Sequence, residues 1–223
     1  MNYSTSHSCL TYASLISRPN IAVATGTLAQ FMSNPNVQHW SGVKRVLRYL
    51  KGTKNFGLCY SKADDNQLVG FSDADWAGDL HTRRSTSGYT FHVGPSLVSW
   101  SSRKQVTVAR SSTEAEYVAL SSATQEAIWL RRLLSDISFQ ECPTTLINED
   151  NQGAIELSKN AKHHERTKHI DIAYHFIRER VSSQEIVVSY CPTNDMIADV
   201  MTKAVPRVKF EKFRSSLGVY MVA

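Results

Sequence analysis

Four acidic positions stand in short, distinctive blocks: Asp73 in FSDADWAGD, Glu114 in SSTEAEYVAL, Asp150 in EDNQG and Asp199 in IADV. Taken singly, each has an ordinary structural role. Asp73, Asp75 and Asp79 are common turn residues. Glu114 has capping-box spacing from Ser111, Asp150 suits the cap of a following helix, and Asp199 is spaced to pair with Lys203 on a helix. Gathered in one place, three or four carboxylates would repel strongly unless a cation neutralised them. Hard oxygen donors without a nearby cysteine suit Mg²⁺ or Mn²⁺ rather than zinc. Two such ions about 3.5 to 4 Å apart activate a water and stabilise the leaving oxygen of an in-line attack on a phosphodiester. That is the chemistry of a nuclease or a polymerase.

The elements that would have to gather these acids are read from periodicity. Two regions separate near residues 60–67, where Ser61 to Asn66 is polar and turn-like. Before the boundary, the spacing predicts helices over 21–32 and 37–51. The second of these has an apolar stripe at Val43, Val46, Leu47 and Leu50, and Lys44, Arg45, Arg48 and Lys51 on its other side. After the boundary come strands over 67–73, 88–93 and 97–101, the last extending or followed by another at 105–109. A long helix over 112–137 steps through Leu120, Ala123, Ala127, Leu130, Leu134 and Ile137. A strand over 145–147, a short helix, a helix over 170–181, a strand over 185–190 and a helix over 195–203 complete the order. Hairpins followed by crossovers imply an α/β fold, with a mixed sheet carrying helices on its faces. A crevice at the strand ends is where such sheets tend to bind ligands.

Composition narrows the classes. With 223 residues, 42% hydrophobic and 20% charged, the chain is long enough for a substantial core. A net charge of +5 fits a polyanionic partner. Cys9, Cys59, Cys142 and Cys191 lie far apart without zinc-finger spacing, as expected of a reducing intracellular compartment: the cytoplasm, a virus-like particle or the nucleus. No apolar run approaches the roughly 20 residues of a membrane span, and the N-terminus lacks the apolar core of a secretory signal.

FSDADWAGD, SGYTFHVG with VSWSSRKQ, SSTEAEYVAL, EDNQGAIEL, RTKHIDIAYHFIRE and IADVMTK follow one another as in the ribonuclease H domain of copia-type retrotransposon Pol polyproteins, which residues 67–205 resemble. SRPNIAVATGTLAQFM and HWSGVKRVLRYLKGTKNFGLCY, within residues 1–60, resemble the thumb- or connection-like end of the reverse transcriptase that precedes it. No paired-aspartate YVDD motif is present, so the chain carries no polymerase site. Residues 206–223 are expected to form a helical tail.

The resemblance implies a ribonuclease H-like fold: a five-stranded mixed sheet flanked by helices. It also implies metal-dependent hydrolysis of the RNA strand of RNA–DNA hybrids, with two Mg²⁺ or Mn²⁺ ions held by Asp73, Glu114, Asp150 and Asp199. The rest of a Pol polyprotein would be the partner. Strand alternation puts Asp73 and Asp75 on one face without choosing between them; the family pattern selects Asp73. Glu116 lies about 200° around the helix from Glu114, so only one of the two faces the ions, and Glu114 is the expected one. Many cellular ribonucleases H carry a mobile histidine before the last carboxylate. The matching segment here, residues 190–194, has none. Ser111, Asn151 and Gln152, beside the acids, are candidates to touch the minor groove. Lys44, Arg45, Arg48, Lys51, Arg103 and Lys104 are candidates for the phosphate backbone, as is the basic stretch with His163, His164, Arg166 and Lys168. The competing reading is a fragment that binds nucleic acid without cutting it, or an inactive transposon relic.

Overall fold

The chain is described by a computed structural model over residues 2–62, 66–138, 142–159 and 171–222. Its centre is a five-stranded mixed sheet of β2 (Leu68–Asp75), β3 (Thr86–Val93), β4 (Ser96–Lys104), β5 (Thr145–Glu149) and β6 (Ile186–Tyr190). The strand order is β4-β3-β2-β5-β6. The β2–β3–β4 pairs are antiparallel hairpins, and β5 and β6 add in parallel to β2. This is the sheet that the resemblance implies. Parallel addition brings the C-terminal ends of β2 and β5 to the same edge, where Asp73 and Asp150 sit.

Alternation along β2 divides the two faces. Leu68 and Ala74 point toward the long helix α4 (Ser112–Ser138), whose Tyr117, Leu120, Ala123 and Ala127 form the main core with Phe91 and Ile147. Helices α5 (Gln152–Lys159) and α6 (Asp171–Ser182) complete that layer. The odd positions of β2 face the short helix α7 (Asp199–Thr202). Gly88, opposite Asp73 in the ladder, makes this approach possible: a Cβ there would lie 2.6 Å from Met201 Cβ and 2.7 Å from Thr202 Cγ2.

The first region packs α1 (Tyr3–Ile16), a 3-10 turn at Pro19–Ile21, α2 (Ala22–Ala29) and α3 (Val37–Gly52) around Leu10, Ile21, Leu28 and Val43. Helix α1 leaves no periodic trace in the sequence, because its buried side includes Ser6, His7 and Ser14 and so forms no apolar stripe. The tail differs from the expected all-helical segment. Helix α8 (Arg207–Ser216) is followed by β7 (Val219–Met221), which pairs antiparallel with β1 (Phe56–Leu58). Phe213, Leu217 and Val219 share a core with Leu97, Met201, Phe56 and Ala22. Sheet, first region and tail are thus joined. The strand considered for 105–109 is not formed, and β4 ends at Lys104. Among the described residues, no helix is long and apolar enough to cross a membrane.

Candidate metal centre

Ligand oxygens of Asp73, Glu116 and Asp150 all lie within 4.8 Å of one another. Asp73 comes from the end of β2, Asp150 from the residue after β5, and Glu116 from the second turn of α4. Asp73 and Glu116 are buried, whereas Asp150 is half-buried and accepts a hydrogen bond from Thr193 Oγ1 at 2.7 Å.

Glu116, not the expected Glu114, joins Asp73 and Asp150. Ser111 Oγ accepts the Glu114 amide at 3.1 Å, and the Glu114 carboxylate accepts the Arg110 amide at 3.0 Å. Glu114 is therefore tied to the backbone just before the helix, and its own amide is capped by Ser111, a helix-start role. Two residues on, Glu116 points toward β2. Counting back four residues from Leu120 along the apolar stripe lands on Glu116, so a signal for the inward-facing acid was present in the sequence. Asn151 likewise frees Asp150 from capping: its Oδ1 accepts the Ala154 amide at 3.0 Å.

Asp199 is buried beside this cluster but engages ammonium groups. Lys203 Nζ lies 2.7 Å from its Oδ1 and 3.5 Å from Asp73 Oδ1, and Lys209 Nζ, from the tail helix, pairs with its Oδ2. Thr202 Oγ1 donates to Asp73 Oδ2. Asp75, on the same face as Asp73, packs against Gly78, where a Cβ would collide with its Oδ2. Asp79 accepts the amides of His81 and Thr82 at 2.8 and 2.7 Å, a turn role, and pairs with Lys104.

The donor set fits a divalent cation. Burial pushes the Asp73 carboxyl up to about 6, against the pull of Lys203 and the Thr202 hydroxyl. Burial, reinforced by Glu149 and Asp73, pushes Glu116 up to about 11. Glu149, fully buried just behind, is raised well above the carboxylate range by burial. Burial by itself would lower the Lys203 ammonium, but the Asp73 and Asp199 charges outweigh it and raise it. Among the described residues, the buried Glu116 Oε2 has no hydrogen-bond partner. A cluster short of positive charge, with an orphaned hard oxygen, is what Mg²⁺ or Mn²⁺ would satisfy.

Among the other expected contacts, Ser111 is exposed and caps α4, Asn151 caps α5, and Gln152 is exposed at the start of α5. Lys44, Arg45, Arg48 and Lys51 lie on the outer side of α3 and have no carboxylate partner among the described residues. Arg103 is exposed on β4, whereas Lys104 is committed to Asp79. His163, His164, Arg166 and Lys168 lie outside the described residues.

No family model matches the chain. Over 218 residues, 98% of its length, it is 43% identical to the retrovirus-related Pol polyprotein from transposon TNT 1-94 of Nicotiana tabacum. The chain belongs to the copia-type retrotransposon Pol polyproteins. It spans 16% of the length of that polyprotein. The copia-type chain is also 57% identical over 119 residues to secreted RxLR effector protein 161 of Plasmopara viticola, covering 53% of this chain and 84% of that protein. Among solved structures, LC11-RNase H1, isolated from compost, aligns over 66% of this chain and 97% of its own at 12% identity, with a TM-score of 0.46.

Proposed function

We propose that this chain is the ribonuclease H module of a copia-type Pol polyprotein and hydrolyses the RNA strand of RNA–DNA hybrids. The observation that carries the reading is the convergence of Asp73, Glu116 and Asp150 at one sheet edge, with Asp199 beside them. Asp73, Glu116 and Asp150 would hold Mg²⁺ or Mn²⁺, and Asp73 with Asp199 would hold a second ion. When bound, such ions supply an activated water and charge stabilisation for the leaving oxygen.

The chain's own residues do the rest. Thr202 fixes the rotamer of Asp73, and Thr193 fixes Asp150, so both carboxylates are oriented before substrate arrives. Asn151 and Ser111 cap the starts of α5 and α4, and with the exposed Gln152 they would meet 2′-hydroxyls in the minor groove. The cations of α3, together with Arg103, supply phosphate contacts. The remainder of the polyprotein, with its reverse transcriptase, would supply the hybrid.

The test is Mg²⁺-dependent cleavage of a labelled RNA–DNA hybrid by the wild type and by Asp73→Asn, Glu116→Gln and Glu114→Gln. Cleavage is expected to fall at least ~100-fold in the first two and less than about tenfold in Glu114→Gln. Equal cutting by wild type and Asp73→Asn would refute the site. Hybrid binding without cleavage by the wild type would favour the binding-module reading.

A further inference from the structure

The position between Asp73 and Asp199 already holds a cation that belongs to the chain. Asp199 has no exposed surface, and both of its oxygens face ammonium groups. The two lysines are held differently. Lys209 is anchored: it also donates to Thr193 O at 2.9 Å and lies 5.2 Å from the centre of the Phe213 ring. Among the described residues, Lys203 makes no ion pair beyond the two carboxylates it bridges, with the Asp150 and Asp75 charges acting on it from farther off, and its side chain is 34% exposed. It follows the single turn of α7, in extended backbone. A divalent ion held by Asp73 Oδ1 and Asp199 Oδ1 would need the space that the Lys203 ammonium fills between those two atoms, whereas Lys209 sits on the other oxygen of Asp199. The ion and the Lys203 ammonium are alternative occupants of this position.

We infer that Lys203 is an internal placeholder for the second divalent ion: the free chain binds one ion, at Asp73, Glu116 and Asp150, and the second enters only when Lys203 swings out. A phosphate arriving at the edge gives the ammonium a new anion to follow, so substrate binding and second-ion loading become linked. Lys209 stays with Asp199 throughout and keeps α7 in place. The inference rests on the nuclease reading for the identity of the site. Its test is independent of cleavage, because ion binding is counted without nucleic acid.

The experiment is a Mn²⁺ titration of the free chain, followed by calorimetry and by loss of the free-ion paramagnetic resonance signal. Wild type is expected to bind one ion, and so is Lys203→Arg. Lys203→Met is expected to bind two, or to tighten a second site at least about tenfold, and adding Asp199→Asn should return it to one. Should Lys203→Met not fold, Asp199→Asn in the otherwise native chain decides: its one-ion affinity is expected to stay within about threefold of wild type. Two equivalent ions in the free wild type, an unchanged single ion in folded Lys203→Met, or a roughly tenfold loss in Asp199→Asn would each overturn the inference. A chain that cuts hybrid yet binds two ions when free would keep the nuclease reading and lose this one.

Discussion

Replacing Glu116 by glutamine should make the metal-free chain more stable, although it removes a buried carboxyl group. In the folded chain without a cation, burial and the neighbouring carboxylates push Glu116 to about 11, against an ordinary value of 4.5. At pH 7 the group is therefore protonated when folded and ionised when unfolded. Folding must take up that proton, which costs ~1.4 kcal/mol for each pH unit above the unfolded value, or about 3 kcal/mol at pH 7. The folded value lies above the unfolded one, so the penalty is absent below pH 4.5 and grows through the neutral range toward pH 11. Glutamine is neutral at every pH. Glu116→Gln is expected to gain about 2–3 kcal/mol at pH 7 in EDTA, a rise of roughly 5–10 °C in Tm for a chain of this size. The two proteins should coincide near pH 4.5 and diverge as pH rises. Saturating Mn²⁺ should stabilise the wild type and leave the variant nearly unmoved. Glu114→Gln should behave oppositely, losing about 1 kcal/mol as a helix-start contact weakens while keeping the response to Mn²⁺. Thermal melts at pH 4.5, 6 and 7.5, with and without Mn²⁺, measure all of this. If Glu116→Gln melts no higher than wild type in EDTA at pH 7.5, or if the gap does not widen with pH, the geometry assigned to Glu116 is wrong.

Two further outcomes follow from the other face of the sheet. Gly88→Ala should cost about 1–3 kcal/mol, because its Cβ meets Met201 and Thr202. Displacing Thr202 from Asp73 should also weaken Mn²⁺ binding, so a Gly88→Ala protein with wild-type stability and affinity would exclude this packing. Burial lowers His92 to about 4 from 6.5, and its Nε2 has no hydrogen-bond partner among the described residues. Here the folded value lies below the unfolded one, so stability is complete above pH 6.5 and declines as pH falls toward 4, by about 2–3 kcal/mol at pH 4.5. Urea melts of His92→Leu should show a flatter acid limb than wild type; an equally steep decline would place the acid sensitivity elsewhere.

The order of strands and helices was legible because period-two and period-3.6 patterns are written in the sequence around β2, β3, α4 and α6. The blocks holding Asp73, Asp150 and Asp199 were legible too, since Asp73 and Asp150 sit where strand patterns stop and Asp199 lies within the last helical segment. Hairpin and crossover order even implied a mixed sheet. Helix α1 was not legible, because its buried side is partly polar and finds its partners only in the tertiary fold, as when His7 Nε2 meets Thr25 O at 2.9 Å.

By itself the sequence determined the α/β architecture and a family pattern rich in carboxylates. Only the tertiary structure decided which carboxylates meet. Glu114 and Glu116 share a helix and a residue type, and the choice between them depends on the rotation of α4 against β2 and on Arg110 folding back over the helix start. Lys203 reads in sequence as a helical partner of Asp199; its reach to Asp73 exists because Gly88 lets α7 lie close to the sheet. Lys209 comes to the same acid from a tail whose strand closes on β1, far from it in the sequence. Local periodicity records which side of an element is apolar. Which charges face one another across that side is set by long-range packing.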